Sequence, residues 1–255
     1  KIHVVIEGAE FADYFWPAVE QYVECTHEYW RSNGKFTPNI TLRLASGGYI
    51  GGGLYHSQNL EGALTTLPGA RIVCPSFADD AAGLLRTSMR SKGFTLYLEP
   101  KALYNSVEAA AVVPEEFEIP FGKARIRREG TDLTIITYGN TTHFCLDVAE
   151  RLAREEVGSV EVIDLRSLIP LDKEAIFASV RKTGKVMVVH EDKVFSGFGA
   201  EIAAQIAGEM FRYLDAPVQR VGSTFTPVGF NPILERAILP NDEKIYNAAK
   251  ELLEF

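Results

Sequence analysis

What most constrains this chain is a rhythm. Short β-branched or apolar runs alternate with amphipathic segments of helical length, and the alternation occurs twice. Apolar runs at 2–7, 40–44, 71–74 and 94–98 have the length and composition of buried strands. Between them, 15–31 carries Val19, Tyr22, Val23 and Tyr29 or Trp30 near helical spacing, and Ser32-Asn33-Gly34 ends it. Segments 58–67 and 77–90 are also expected as helices. The first ends at Pro68-Gly69, and the second has Ser76 as candidate cap with Asp79 and Asp80 in its first turn. The stretch 99–131 breaks the rhythm with Pro100, Pro114 and Pro120 and is expected to be a linker. Strands at 133–137, 160–164, 186–190 and 218–221 then alternate with helices at 142–155, 172–180, 200–211 and 242–253. Strand-helix alternation places parallel strands between two layers of helices. Two such runs predict an α/β chain of two doubly wound domains, 1–120, with the linker starting near 99, and 121–255.

Composition removes several function classes. The net charge of −8 gives no support for nucleic-acid binding. No apolar run approaches the roughly 18 residues of a membrane span. Cys25, Cys74 and Cys145 are odd in number and far apart, which argues for free thiols rather than a disulfide framework. No Cys or His pair has zinc-ligand spacing, so no metal site is expected. The chain opens directly on a strand-like run, from which a missing preceding segment is expected.

Ligands of open parallel sheets sit beyond the carboxyl ends of the strands, so the loops there hold the candidate chemistry. The cluster 10–17 (Glu10-Phe11-Ala12-Asp13-Tyr14-Phe15-Trp16-Pro17) is either packing at a helix entrance or a flat wall for a planar ring. The loop 46–58 carries five glycines and ends on His56-Ser57-Gln58. Its glycines permit close backbone approach but do not match the dinucleotide fingerprint. His56 is either structural or a proton-transfer group. The third candidate is Glu191-Asp192 followed by Ser196-Gly197-Phe198-Gly199, a tight strand-to-helix turn with only a weak phosphate-binding pattern.

Five motifs occur in order: Phe11-Ala12-Asp13-Tyr14, Leu54-Tyr55-His56-Ser57-Gln58, Leu98-Glu99-Pro100-Lys101, the run from Asp164 to Asp172, and Gly197-Phe198-Gly199-Ala200-Glu201-Ile202. The series resembles the β subunit of the thiamine-diphosphate-dependent 2-oxoacid dehydrogenases along essentially the whole chain. That resemblance implies an incomplete transketolase-type pyrimidine-binding domain followed by a transketolase C-terminal domain. It implies thiamine diphosphate as cofactor, with Tyr14 against the aminopyrimidine, Glu10 beside it, and His56 handling protons and acyl transfer. Asp215 in Leu214-Asp215-Ala216-Pro217 would serve docking to a dihydrolipoyl acyltransferase. The implied partners are an α subunit or fused α region, which would hold the Mg2+ and diphosphate, and a second β copy. The implied setting is the cytoplasm, or the mitochondrial matrix in a eukaryote.

Two departures qualify the resemblance. The family's activating glutamate precedes the strand that opens this chain, and neither Glu7 nor Glu10 takes its place, so the isolated chain is expected to be inactive. No Gly-Asp-Gly diphosphate motif is present. Tyr55 before His56 and Glu99-Pro100-Lys101 favour branched-chain 2-oxoacids over pyruvate. The competing readings are a non-catalytic dimerisation and docking scaffold, another transketolase-family enzyme, and a generic nucleotide-binding protein. The nearly uncharged loops around His56 disfavour a sugar-phosphate substrate.

Overall fold

The computed structural model describes residues 2–8 and 11–255. In the first half, β1 (Val4–Gly8), α1 (Val19–Arg31), β2 (Ile40–Ser46), α2 (Glu61–Leu64), β3 (Ala70–Val73), α3 (Ala78–Arg90) and β4 (Phe94–Pro100) follow one another. Next come β5 (Arg125–Arg128), β6 (Leu133–Thr137), α4 (Thr141–Arg154), β7 (Val160–Asp164), β8 (Ser167–Ile169), α5 (Lys173–Thr183) and β9 (Val186–Lys193). The chain ends with α6 (Phe198–Glu209), β10 (Gln219–Ser223), α7 (Pro232–Ile238) and α8 (Asp242–Glu254). Two five-stranded sheets result, ordered β1-β2-β4-β3-β8 and β10-β9-β6-β7-β5. Every residue of β6 and β7 is buried, as expected of strands covered on both faces. Leu96 of β4 pairs with Leu42 on one side and Ile72 on the other; Leu96 and Ile72 are buried in one apolar core and Leu42 packs against it.

The doubly wound α/β expectation holds, with one change. Each sheet carries an antiparallel edge strand: β8 against β3 and β5 against β7. β8 lies between β7 and α5 in sequence yet closes the first sheet, so the two halves interlock. β5 lies inside the stretch expected to be a linker.

Other expectations shift for local reasons. The helix expected at 58–67 contracts to α2: the Gln58 N–H donates to Asp13 Oδ1 at 2.8 Å ahead of it, and residues 66 and 67 close i→i−3 turns behind it. Ser76 does not cap α3. Its hydroxyl bonds Thr142 Oγ1 at 2.9 Å instead. β1 is not buried: as an edge strand paired only with β2, it leaves Val4, Val5 and Ile6 exposed. α7 was not expected, although Asn231 caps it by accepting from Ile233 N at 2.9 Å and Pro232 opens it.

Buried ions fasten the halves. Asp80 of α3 has no exposure and meets Arg166 Nη1 at 2.9 Å, and Arg127 of β5 bridges it to Asp164 of β7. Removing one member of such a network leaves an uncompensated buried charge, at a cost of about 3–5 kcal/mol.

Candidate active site

β2 delivers the chain into the glycine loop, and the second half of the protein holds that loop. The Gly48 N–H donates to the carboxylate of Glu191, and the Gly51 N–H to Glu235 Oε1 at 3.3 Å. Tyr49 donates its hydroxyl to the Pro240 carbonyl at 2.7 Å. Gly47 is required on two counts: its φ is +89°, and a Cβ there would lie 2.6 Å from Glu191 Oε1.

The loop ends in a 3-10 turn, Gly53–Tyr55, that sets down the half-buried His56. Two rings meet its imidazole edge-on, Phe11 at 5.1 Å and Tyr14 at 5.5 Å between centroids. Both rings come from the segment after β1, where a 3-10 turn, Ala12–Tyr14, buries Ala12 and leaves Tyr14 exposed. Phe11 and Tyr14 also line a pocket of about 450 Å³ whose other walls include Ile6, Leu42, Leu44 and Phe94. Such walls suit a planar, weakly polar ring.

Beneath His56 lies a buried lysine. Lys101 Nζ donates to the His56 carbonyl at 2.5 Å, stands 3.6 Å from Asp13 Oδ2, and sits 4.0 Å from the centre of the Phe11 ring. Its side chain is 3% exposed and that of Asp13 is 4%. Burial lowers the Lys101 pKa, and the Asp13 carboxylate opposes that only in part.

Behind the loop is a cluster of buried carboxyls. Glu61 of α2 and Glu191 and Asp192 of β9 are all nearly inaccessible. Burial, with Asp192 nearby, pushes Glu61 up to about 8. Burial pushes Glu191 up to about 7 against the opposing pull of the Gly48 N–H and Lys101. Asp192 is also raised by burial while it accepts from the Gly62 N–H at 2.9 Å. Glu61 Oε1 accepts from Asn59 Nδ2 at 3.0 Å, and its Oε2 has no partner among the described residues.

Of the residues singled out in the sequence, Tyr14 and His56 are brought together. Glu10 lies outside the described residues. Asp215 is exposed in the bend before β10, its side chain against Gly184 at the end of α5 and its N–H bonded to the Gly184 carbonyl at 2.8 Å. Lys101, Asp13 and Glu61 were not singled out individually, although Asp13 and Lys101 each stand in a noted motif. All three cysteines are free thiols. Among the described residues no group of three His, Cys, Asp or Glu side chains is placed to hold a metal ion. No described helix is long and apolar enough to cross a membrane.

Two mixed, mostly parallel sheets make the architecture, with the apolar pocket lying between α1, the segment before it and the face of the first sheet. Residues 3–107 match the pyrimidine-binding domain of transketolase, and residues 122–245 match the transketolase C-terminal domain. A split-gene transketolase solved as an inactive β4 tetramer has the same fold, with a TM-score of 0.74 over 98% of this chain and 75% of that one at 20% identity. The 2-oxoisovalerate dehydrogenase β subunit of Bacillus subtilis is 40% identical over 252 residues, covering 98% of this chain and 76% of that subunit. The pyruvate dehydrogenase E1 β subunit of the same organism is 39% identical over 226 residues, covering 89% and 69%. The chain belongs to the family of 2-oxoacid dehydrogenase E1 β subunits, which is thiamine-diphosphate-dependent.

Proposed function

We propose that this chain supplies the aminopyrimidine side of a thiamine diphosphate site in an enzyme that decarboxylates a 2-oxoacid and passes the acyl group to a lipoyl arm. The observation that carries this reading is the meeting of His56 with Phe11 and Tyr14, the two rings that also line the apolar pocket. The pocket fits the aromatic half of the cofactor and offers no carboxylate among its described lining residues, nor any cation for a diphosphate. In this reading Mg2+ and the diphosphate are held by an α partner or fused α region. When bound, the cofactor supplies the carbon chemistry, while the protein orients it and shields it from water.

In this reading Tyr14 lies against the aminopyrimidine, with Glu10 close by in the same segment. His56 moves a proton. When the lipoyl disulfide opens, one sulfur takes the acyl group and the other leaves as a thiolate, to which the imidazolium gives its proton. Asp215, exposed at the far end of α5, serves docking to a dihydrolipoyl acyltransferase, and a second β copy completes the assembly. The two working units are 1–120 and 121–255, in the cytoplasm or the mitochondrial matrix. Tyr55 and Glu99-Pro100-Lys101 favour branched-chain substrates, although identity to the two kinds of relative is nearly equal.

The test is His56→Ala, assembled with an α partner and assayed in two ways. Acyl transfer to a lipoyl domain should fall about 10²- to 10⁴-fold, the usual share of a positioned acid or base. Decarboxylation read with an artificial electron acceptor should fall far less. Equal retention of both activities would remove His56 from the chemistry.

A further inference from the structure

Three of the five ordered motifs meet at one buried point that the proposed proton transfer does not use. Asp13 comes from the first, His56 from the second and Lys101 from the third. From this meeting we infer that Lys101 and Asp13 form a positioning pair that fixes the His56 loop. The inference rests on the catalytic reading of His56 for its purpose, but not for its geometry.

A lysine with 3% exposure has lost its water, and each of its three protons needs an acceptor. The His56 carbonyl takes one at 2.5 Å, Asp13 Oδ2 stands 3.6 Å away, and the Phe11 face lies 4.0 Å off. Asp13 makes a second tie to the same loop, because its Oδ1 accepts the Gln58 N–H at 2.8 Å. Residues 56 and 58 are therefore gripped from below by one ion pair. Phe11 touches both the ammonium and the imidazole, so the ring that covers Lys101 also sets the pitch of His56. A carbonyl two bonds from the His56 Cβ cannot shift without moving the imidazole.

Neither residue touches the pocket as a reacting group. Lys101 does not line it, and its ammonium is spent on a backbone carbonyl. That separates positioning from acid-base work. The pair also differs from an ordinary surface ion pair, which contributes little because water competes for both partners.

The test uses Asp13→Asn together with Lys101→Met in the full chain with its α partner, so that no charge is left buried alone. Amide hydrogen exchange is followed by mass spectrometry. Exchange in a peptide spanning residues 53–58 should quicken by about ten- to a hundredfold, the loss expected for hydrogen bonds to charged groups. Peptides from β6 and β7 should keep their wild-type protection. In the same variant the ratio of acyl transfer to decarboxylation should fall. Lys101→Arg, which keeps the cation, should restore part of both. Unchanged exchange at 53–58, or acceleration spread evenly over the chain, would overturn the positioning role. The outcome is separable from that for His56→Ala, because exchange reports loop position whether or not His56 carries protons.

Discussion

Replacing Glu61 with Gln should make the protein more stable at neutral pH, and the size of the gain follows from burial. The carboxyl is 1% exposed, Asp192 lies beside it, and one of its oxygens has no partner among the described residues. Its pKa rises from 4.5 to about 8 in the folded chain. A raised carboxyl pKa means that the folded state holds a proton the unfolded chain has already released. Its contribution to stability is therefore intact below pH 4.5 and is lost progressively as pH climbs to about 8. At 1.36 kcal/mol per unit, the 2.5 units between 4.5 and pH 7 amount to about 3 kcal/mol, as an order of magnitude. Gln keeps the acceptor that Asn59 uses and removes the titration. Urea unfolding of wild type and Glu61→Gln at pH 5 and pH 8 measures this directly. The variant should gain about 3 kcal/mol or more at pH 8 and little at pH 5. A variant destabilised by the same amount at both pH values would refute the reasoning, since it would show that Glu61 contributes as a charge or by packing alone.

Three other perturbations test separate parts of the account. Tyr14→Ala should weaken thiamine diphosphate binding by about fivefold in calorimetry with the α partner, because an aromatic contact of this kind is worth about 1 kcal/mol, while Tyr14→Phe should bind nearly as well. Gly47→Ala puts a Cβ 2.6 Å from Glu191 Oε1 at a φ of +89°, so thermal unfolding should show a loss of about 1–3 kcal/mol from backbone strain, with a further loss as Glu191 is displaced. Asp80→Asn should cost about 3–5 kcal/mol by leaving Arg166 without its carboxylate partner while Arg127 keeps Asp164, and a cost under 1 kcal/mol in denaturant titration would argue that water replaces the carboxylate.

The layered fold was legible because its evidence is periodic and local. β6 and β7 are apolar along their length, and α4 and α8 show one apolar face each, so sequence alone locates them. β8 and β5 escaped because strands of three and four residues carry too few side chains for alternation to be recognised, and both form by pairing with distant antiparallel neighbours. α7 lost out to its short length, though Asn231-Pro232 marked its start. At the candidate site, the aromatic cluster and His56 stood out as residue types at strand ends. Lys101 did not, because its main partner is a backbone carbonyl 45 residues away, and no spacing rule encodes that contact. Glu61 was hidden for a similar reason: on sequence it is a polar residue in the first turn of a helix, and the groups around it, among them Cys74, Tyr138 and Glu191, come from distant parts of the chain.

The most direct test of the whole account is calorimetric titration of thiamine diphosphate with Mg2+ into this chain assembled with an α partner, carried out for wild type, Tyr14→Ala and His56→Ala. Binding by wild type, weaker binding for Tyr14→Ala, and near-wild-type binding for His56→Ala with its acyl transfer lost would place the cofactor's ring at Tyr14 and the proton work at His56. Binding unaffected by Tyr14→Ala, or no binding by the assembled wild-type protein, would contradict the account.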